Sequence, residues 1–166
     1  MLHVDNLRTY EKLSPTEKLL TIVFAVTAKD NANELRFDFR PKVPEFRLWY
    51  WVEDELLELV PPPVAVWPDI YEILLSHTKP APGQVPPSAT KGKRRVPFPS
   101  FPFAGKLRIR FGRRKVDFDI LFFRGRTGEH IWIEKPSGVD VSEAGSAFFA
   151  EWKAVQSNGK AKRPRK

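Results

Sequence analysis

The stretch KLRIRFGRRKVDFDI, residues 106–120, restricts the fold more than any other part of this chain. Apolar and charged residues alternate on both sides of Gly112-Arg113, the pattern of two half-buried strands joined by a tight turn. Glycine at the first position of a two-residue loop is what a type II′ turn requires. That loop sets the register. Phe111 faces Arg114, Arg110 faces Lys115, Ile109 faces Val116, Arg108 faces Asp117, Leu107 faces Phe118 and Lys106 faces Asp119. Apolar side chains then share one face. On the other, Lys106 with Asp119 and Arg108 with Asp117 are opposite-sign pairs, each worth a few tenths to about 1 kcal/mol. Only Arg110 with Lys115 is repulsive. The basic residues therefore read as a self-neutralising hairpin over a core rather than a groove-reading ribbon. Positive charge near the turn, at Arg113 and Arg114, stays available to an acidic partner.

The hairpin needs further strands and a cover. Ser14-Pro15-Thr16-Glu17 is a capping box with proline at the first helical position, and it predicts a largely buried helix over 15–29. ELRFDF alternates with Leu35, Phe37 and Phe39 on one face. EFRLWYW points Phe46, Leu48 and Tyr50 one way and Arg47, Trp49 and Trp51 the other. After Glu53-Asp54, ELLELV predicts a short third strand ended by Pro61-Pro62-Pro63. Trp67-Pro68-Asp69 opens a helix to about Ser76, with Ile70, Ile73 and Leu74 as its apolar stripe. Strands are predicted at 105–111, 115–122 and 129–134, and a helix at 142–156 carrying Ala144, Phe148, Trp152 and Val155 on one side. Residues 79–102, rich in proline, read as a long loop pinned by Phe98, Phe101 and Phe103. This order predicts an α+β domain with an antiparallel sheet of five to six strands. Residues 1–14 read as a lead, 15–136 as the domain, 137–156 as a terminal helical segment and 157–166 as a basic tail.

Composition narrows the function classes. The chain has 166 residues, 42% of them hydrophobic, enough for one domain with a core. It has no cysteine, so disulfides and thiolate metal sites are excluded. His3, His77 and His130 lie far apart and in no metal-binding spacing, and no cofactor is expected. The apolar run Leu19–Ala28 is about half of the roughly 20 residues a membrane helix needs. A cytoplasmic location with no membrane span is the expectation. The net charge is +8, but the last ten residues alone hold five basic and no acidic side chains. That tail reads as a solvated terminus or as an anchor on an acidic partner. The cluster Lys91, Lys93, Arg94 and Arg95 reads as a charged loop tip or as a grip on phosphate.

Trp49, Trp51 and Arg47 share one strand face, and Trp132 lies on another strand. Two readings stay open. If the terminal helix covers this face, Trp152 and Phe148 meet the cluster and it is core. If the face is open, tryptophan beside arginine is the composition of a protein-binding hot spot or of a stacking platform for bases.

Three segments in order, ANELRFDF (32–39), LWYWVEDEL (48–56) followed by LELVPPP, and GKLRIRFGRRKVDFDILFFRGRTGEHIWI (105–133), together resemble the regulatory domain that precedes the motor in ATPases of type II secretion and type IV pilus assembly. The resemblance covers roughly residues 15–134 and implies a PAS-like α+β fold. In that family, arginines of the second and third segments are thought to reach nucleotide phosphate on a neighbouring motor domain, in the manner of arginine fingers. Trp49, Trp51 and Asp119 occupy those positions here. Tryptophan cannot neutralise phosphate, and aspartate repels it. The phosphate-cradling motif G-x-x-x-x-G-K-[ST] is absent from the sequence. The resemblance and its departures imply a non-catalytic, stand-alone interaction module with a secretion or pilus component as its protein partner. A nucleic-acid-binding protein using the tail, the basic loop and Trp49/Trp51 is the alternative, and a small-ligand sensor is a third.

Overall fold

A computed structural model describes residues 1–4, 7–88 and 95–161. In chain order its elements are β1 (Leu2–His3), α1 (Leu7–Glu11), α2 (Pro15–Lys29), β2 (Glu34–Arg40), β3 (Glu45–Val52), β4 (Glu55–Leu59), a 3-10 turn (Val64–Val66), α3 (Trp67–Ser76), β5 (Thr78–Pro80), β6 (Phe103–Phe111), β7 (Arg114–Arg124), β8 (Glu129–Glu134) and α4 (Ser142–Ala161).

The β6–β7 hairpin forms in the register that its turn dictates, from Phe111 opposite Arg114 to Lys106 opposite Asp119. Gly112 has φ +60°, a left-handed conformation that glycine adopts without a Cβ penalty. Arg108 donates two hydrogen bonds to Asp117, at 2.7 and 3.1 Å, and Lys106 pairs with Asp119. The Arg108 hydrogen bond, foremost among the influences on it, holds the Asp117 carboxyl below the usual carboxylate range.

The strands join into one sheet in the order β1-β6-β7-β8-β2-β3-β4, with β5 also pairing β6. Neighbours are antiparallel except β1 on β6, which is parallel. The architecture is thus α+β, but the sheet is mixed and has eight strands rather than five or six. All six sequence-predicted strands are present. The additional ones, β1 and β5, have two and three residues and are too short to show a period. β5 ends in Pro80, which is tolerated at a sheet edge because it need not donate to a ladder.

Helices pack on one side of this sheet. The capping box of α2 closes as expected, with the Glu17 amide donating to Ser14 Oγ at 3.2 Å and the Ser14 amide donating to Glu17 Oε1 at 3.4 Å. Leu20, Phe24, Ile70, Leu74 and Phe148 from the helices meet Phe37, Leu48, Leu107, Ile109, Ile120, Phe122, Ile131 and Ile133 from the strands in one core. Each fully buried side chain of this size contributes about 1.5–3 kcal/mol. α4 lies against α2 rather than on the tryptophan-bearing face. Their contact is close because position 145 is glycine: a Cβ there would stand 2.3 Å from the Lys29 amide nitrogen. Phe148 and Trp152 meet Tyr10, with ring centroids 6.1 and 5.0 Å away.

The segment between β5 and β6 is held by Phe98 and Phe103, which are buried, and by Tyr71 Oη donating to the Pro97 carbonyl at 2.8 Å. Phe101 does not pin it. That ring is 83% exposed, because the chain turns it outward between Pro99 and Pro102.

Candidate functional site

Strand alternation gives the sheet two faces of different chemistry. One carries the core. The other, which we call the open face, carries Glu34, Arg36, Asp38 and Arg40 of β2, Glu45, Arg47, Trp49 and Trp51 of β3, Leu56 and Glu58 of β4, Lys106, Arg108 and Arg110 of β6, Lys115, Asp117, Asp119, Leu121 and Phe123 of β7, and His130, Trp132 and Glu134 of β8. The pairings that place them in one plane are Arg36 with Trp49 and Trp132, Asp38 with Arg47 and His130, Trp51 with Glu34 and Leu56, and Trp49 with Glu58. Trp49, Trp51 and Trp132 are half-buried by one another's neighbours and take no part in the core cluster. Of the two sequence readings of the tryptophans, the open one describes the molecule. The helix carrying Trp152 and Phe148 is on the other side.

Arg36 and Arg47 stand over two of these rings. The Arg36 guanidinium carbon is 4.1 Å from the Trp132 ring centroid, and that of Arg47 is 5.3 Å from Trp49. Each arginine is steered by a carboxylate two residues earlier, Glu34 at 2.8 Å and Glu45 at 2.5 Å. Cation–π contacts of this kind contribute about 0.5–1 kcal/mol at exposed sites. The sequence-predicted group Arg47, Trp49, Trp51 and Trp132 is therefore brought onto one surface, and Arg36 joins it.

Asp38 and His130 complete the face and were not singled out from sequence. His130 Nδ1 and Asp38 Oδ1 are hydrogen-bonded at 2.5 Å. Trp132 Nε1 donates to the same oxygen at 3.3 Å, and Phe123 stacks on the imidazole at 4.9 Å. The signal existed in the alternation of β2 and β8, but their adjacency is a non-local pairing. By contrast, Trp51 Nε1 is buried with no hydrogen-bond partner among the described residues.

The charge of the face differs from one end to the other. Around the tryptophans, the carboxylates of Glu34, Asp38, Glu45, Glu58 and Glu134 outnumber the guanidinium groups of Arg36, Arg40 and Arg47. Asp119 sits opposite Glu134, which sits opposite Glu34, so three acidic residues stand in a row across β7, β8 and β2. A groove of about 1000 Å³ runs beside this row, between it and the Lys79–Pro82 segment. Lys106 and Arg108 supply its positive side.

The remaining basic candidates lie elsewhere. Lys91, Lys93 and Arg94 are outside the described residues, as is the end of the basic tail from residue 162. Arg95 pairs with Asp69 at 3.3 Å. Arg113 is exposed at the hairpin turn, and Arg114 donates to the Asp140 carbonyl at 2.6 Å. These side chains are not gathered onto the tryptophan surface.

Between α2 and the sheet, a cavity of about 20 Å³ is lined by Phe24, Thr27, Leu35, Phe118 and Lys135 among others. That is room for one water, not for a small-molecule ligand. Burial pushes the Lys135 amine down from its ordinary value, and the amine donates to Asn31 Oδ1. Among the described residues, no group of three or more histidine, aspartate or glutamate side chains is set to hold a metal ion, and no helix is long and apolar enough to cross a membrane. No family model and no curated protein matches this sequence.

Proposed function

We propose that this chain is a non-catalytic protein-interaction module, related to the regulatory domain of secretion and pilus ATPases, which binds a protein component of such an assembly through the open face of its sheet. The observation that carries this reading is the surface of Trp49, Trp51 and Trp132 with Arg36 and Arg47 standing over it. Tryptophan and arginine dominate the binding energy of protein interfaces because they bury large area at low conformational cost. The three segments that carry the family resemblance are strands of one sheet, with β8 joining the second strand of the hairpin to β2. Positions that are phosphate-directed arginines in that family are Trp49, Trp51 and Asp119 here, and all three lie on this face.

Electrostatics favour a protein over nucleic acid. A base-stacking platform works with a cationic groove that tracks the phosphates, whereas these tryptophans are surrounded by more carboxylates than cations. A cytoplasmic setting beside a motor ATPase is part of the same proposal. The test is a titration of the purified chain against a secretion or pilus motor ATPase, with Trp49→Ala/Trp51→Ala as the disabled variant. Saturable binding lost in the variant supports the proposal. ATP hydrolysis by the chain alone, or binding to single-stranded nucleic acid that collapses with salt and needs the same tryptophans, defeats it.

A further inference from the structure

The sheet ends on β4, which pairs with β3 on one side only. Val52 and Glu55 face each other across the two-residue turn Glu53-Asp54, so they form the hydrogen-bonded pair that closes the hairpin. Alternation along an antiparallel ladder then makes Tyr50–Leu57 and Leu48–Leu59 hydrogen-bonded pairs as well. The N–H and C=O groups of Leu56 and Glu58 consequently point away from β3, toward the outside. Among the described residues, no backbone hydrogen bond from a loop or another element reaches 55–59 from that side.

The charged residues of this edge strand and its flanking turn have one sign. Glu53, Asp54, Glu55 and Glu58 are exposed, and the sequence between Arg47 and Lys79 contains no lysine or arginine. Leu56 is 42% exposed and Val60 is 90% exposed, and Leu56 continues the row that begins with Trp51. Edge strands are commonly guarded by charges that discourage pairing. A guard of a single sign discriminates instead: it repels a second copy, whose own carboxylates would double the charge, and it attracts a cationic strand.

We propose that the outer edge of β4 accepts an extended, lysine- or arginine-bearing segment of a partner protein as an added strand. This rests on the protein-binding reading above and names the chemistry of the partner. Main-chain hydrogen bonds to Leu56 and Glu58 supply affinity, and side chains at alternate positions supply selectivity. Basic side chains opposite Glu55 and Glu58 neutralise them. Apolar ones opposite Leu56, Leu57 and Leu59 extend the adjoining rows.

The probe is the capped peptide TVKVVKT, which in antiparallel register sets its lysines opposite Glu58 and Glu55, compared with TVEVVET. Backbone amide NMR of the labelled full chain is the readout. The expected result is saturable shifts centred on Leu56 and Glu58 with the basic peptide and none with the acidic one. Glu58→Pro removes an outward N–H while leaving the β3 ladder intact, and it weakens binding at least about tenfold, as losing one hydrogen bond and its charge requires. Methylating the peptide amides that face β4 does the same without altering the protein. Equal binding by TVEVVET, by the methylated peptide or by a folded Glu58→Pro variant overturns the proposal, as does the absence of any binding. Self-association abolished by Glu58→Pro also overturns it, by making a second copy the occupant. The titration against the motor ATPase judges the open face separately, since Trp49→Ala/Trp51→Ala leaves the outward groups of β4 in place.

Discussion

Arg36 bridges the seam between β2 and β8: its guanidinium carbon stands 4.1 Å from the Trp132 ring centroid, while its Nε donates to Glu34 Oε1 at 2.8 Å. The indole of Trp132 is held in turn by its own hydrogen bond to Asp38. This makes the centre of the open face a preorganised surface, with Arg36 and the Trp132 ring held before any partner arrives. Truncating the arginine should therefore act on stability as well as binding. Arg36→Ala is expected to cost about 0.5–1 kcal/mol in urea unfolding, and Arg36→Lys to recover only part of it, because a lysine lacks the planar, delocalised guanidinium.

Two of the three indole N–H groups of this face predict opposite mutational outcomes. Trp132 Nε1 donates to a carboxylate, whereas Trp51 Nε1 is buried without an acceptor among the described residues. Trp132→Phe should destabilise by about 1 kcal/mol, since it leaves Asp38 with one donor fewer. Trp51→Phe removes an unmet donor and should be neutral or stabilising by up to about 1 kcal/mol. Denaturant midpoints of the two variants decide this. A larger loss from Trp51→Phe than from Trp132→Phe contradicts the hydrogen-bond assignment.

The crossing of α2 and α4 depends on the missing side chain at Gly145. In an exposed helix, alanine for glycine gains up to about 1 kcal/mol. Here the added Cβ would meet the Lys29 nitrogen at 2.3 Å and the Ala25 carbonyl oxygen at 2.8 Å, backbone atoms that cannot swing aside. Gly145→Ala is expected to destabilise by about 1–3 kcal/mol, and a calorimetric melt showing a raised Tm would refute this packing.

Alkaline pH should weaken the fold. Burial first, and then the hydrogen bond to Asp30, push the Tyr50 phenol up to about 12, and burial pushes Tyr71 higher still. Above pH 10 the unfolded chain releases these protons while the folded chain keeps them, so stability falls as pH rises from about 10 toward 12. Urea midpoints measured between pH 8 and 11 should drop, and Tyr50→Phe should reduce the slope. A slope unchanged in Tyr50→Phe contradicts the assignment.

Local rules account for what the sequence revealed. The β6–β7 register followed from Gly112 and alternation alone, and α2 from Ser14 and Glu17, because turns and caps are decided within a few residues. α3 likewise begins at Trp67 and ends at Ser76 as its stripe indicates. What sequence left open was non-local. Whether α4 would cover Trp49 and Trp51 depended on a helix–helix contact made through Gly145, and the Asp38–His130 pair depended on β8 lying beside β2. β1 and β5 carry too few residues for any periodicity, and Phe101 resembled its buried neighbours in all but the direction the backbone gave it.

The most direct test of the account is the affinity of the purified chain for a secretion or pilus motor ATPase, measured by isothermal titration for wild type and for Trp49→Ala/Trp51→Ala. Loss of two hot-spot tryptophans, each worth about 2 kcal/mol or more, predicts a Kd at least about a hundredfold weaker with an unchanged far-UV spectrum. An affinity that does not move, with the variant folded, would contradict the open face as the binding surface.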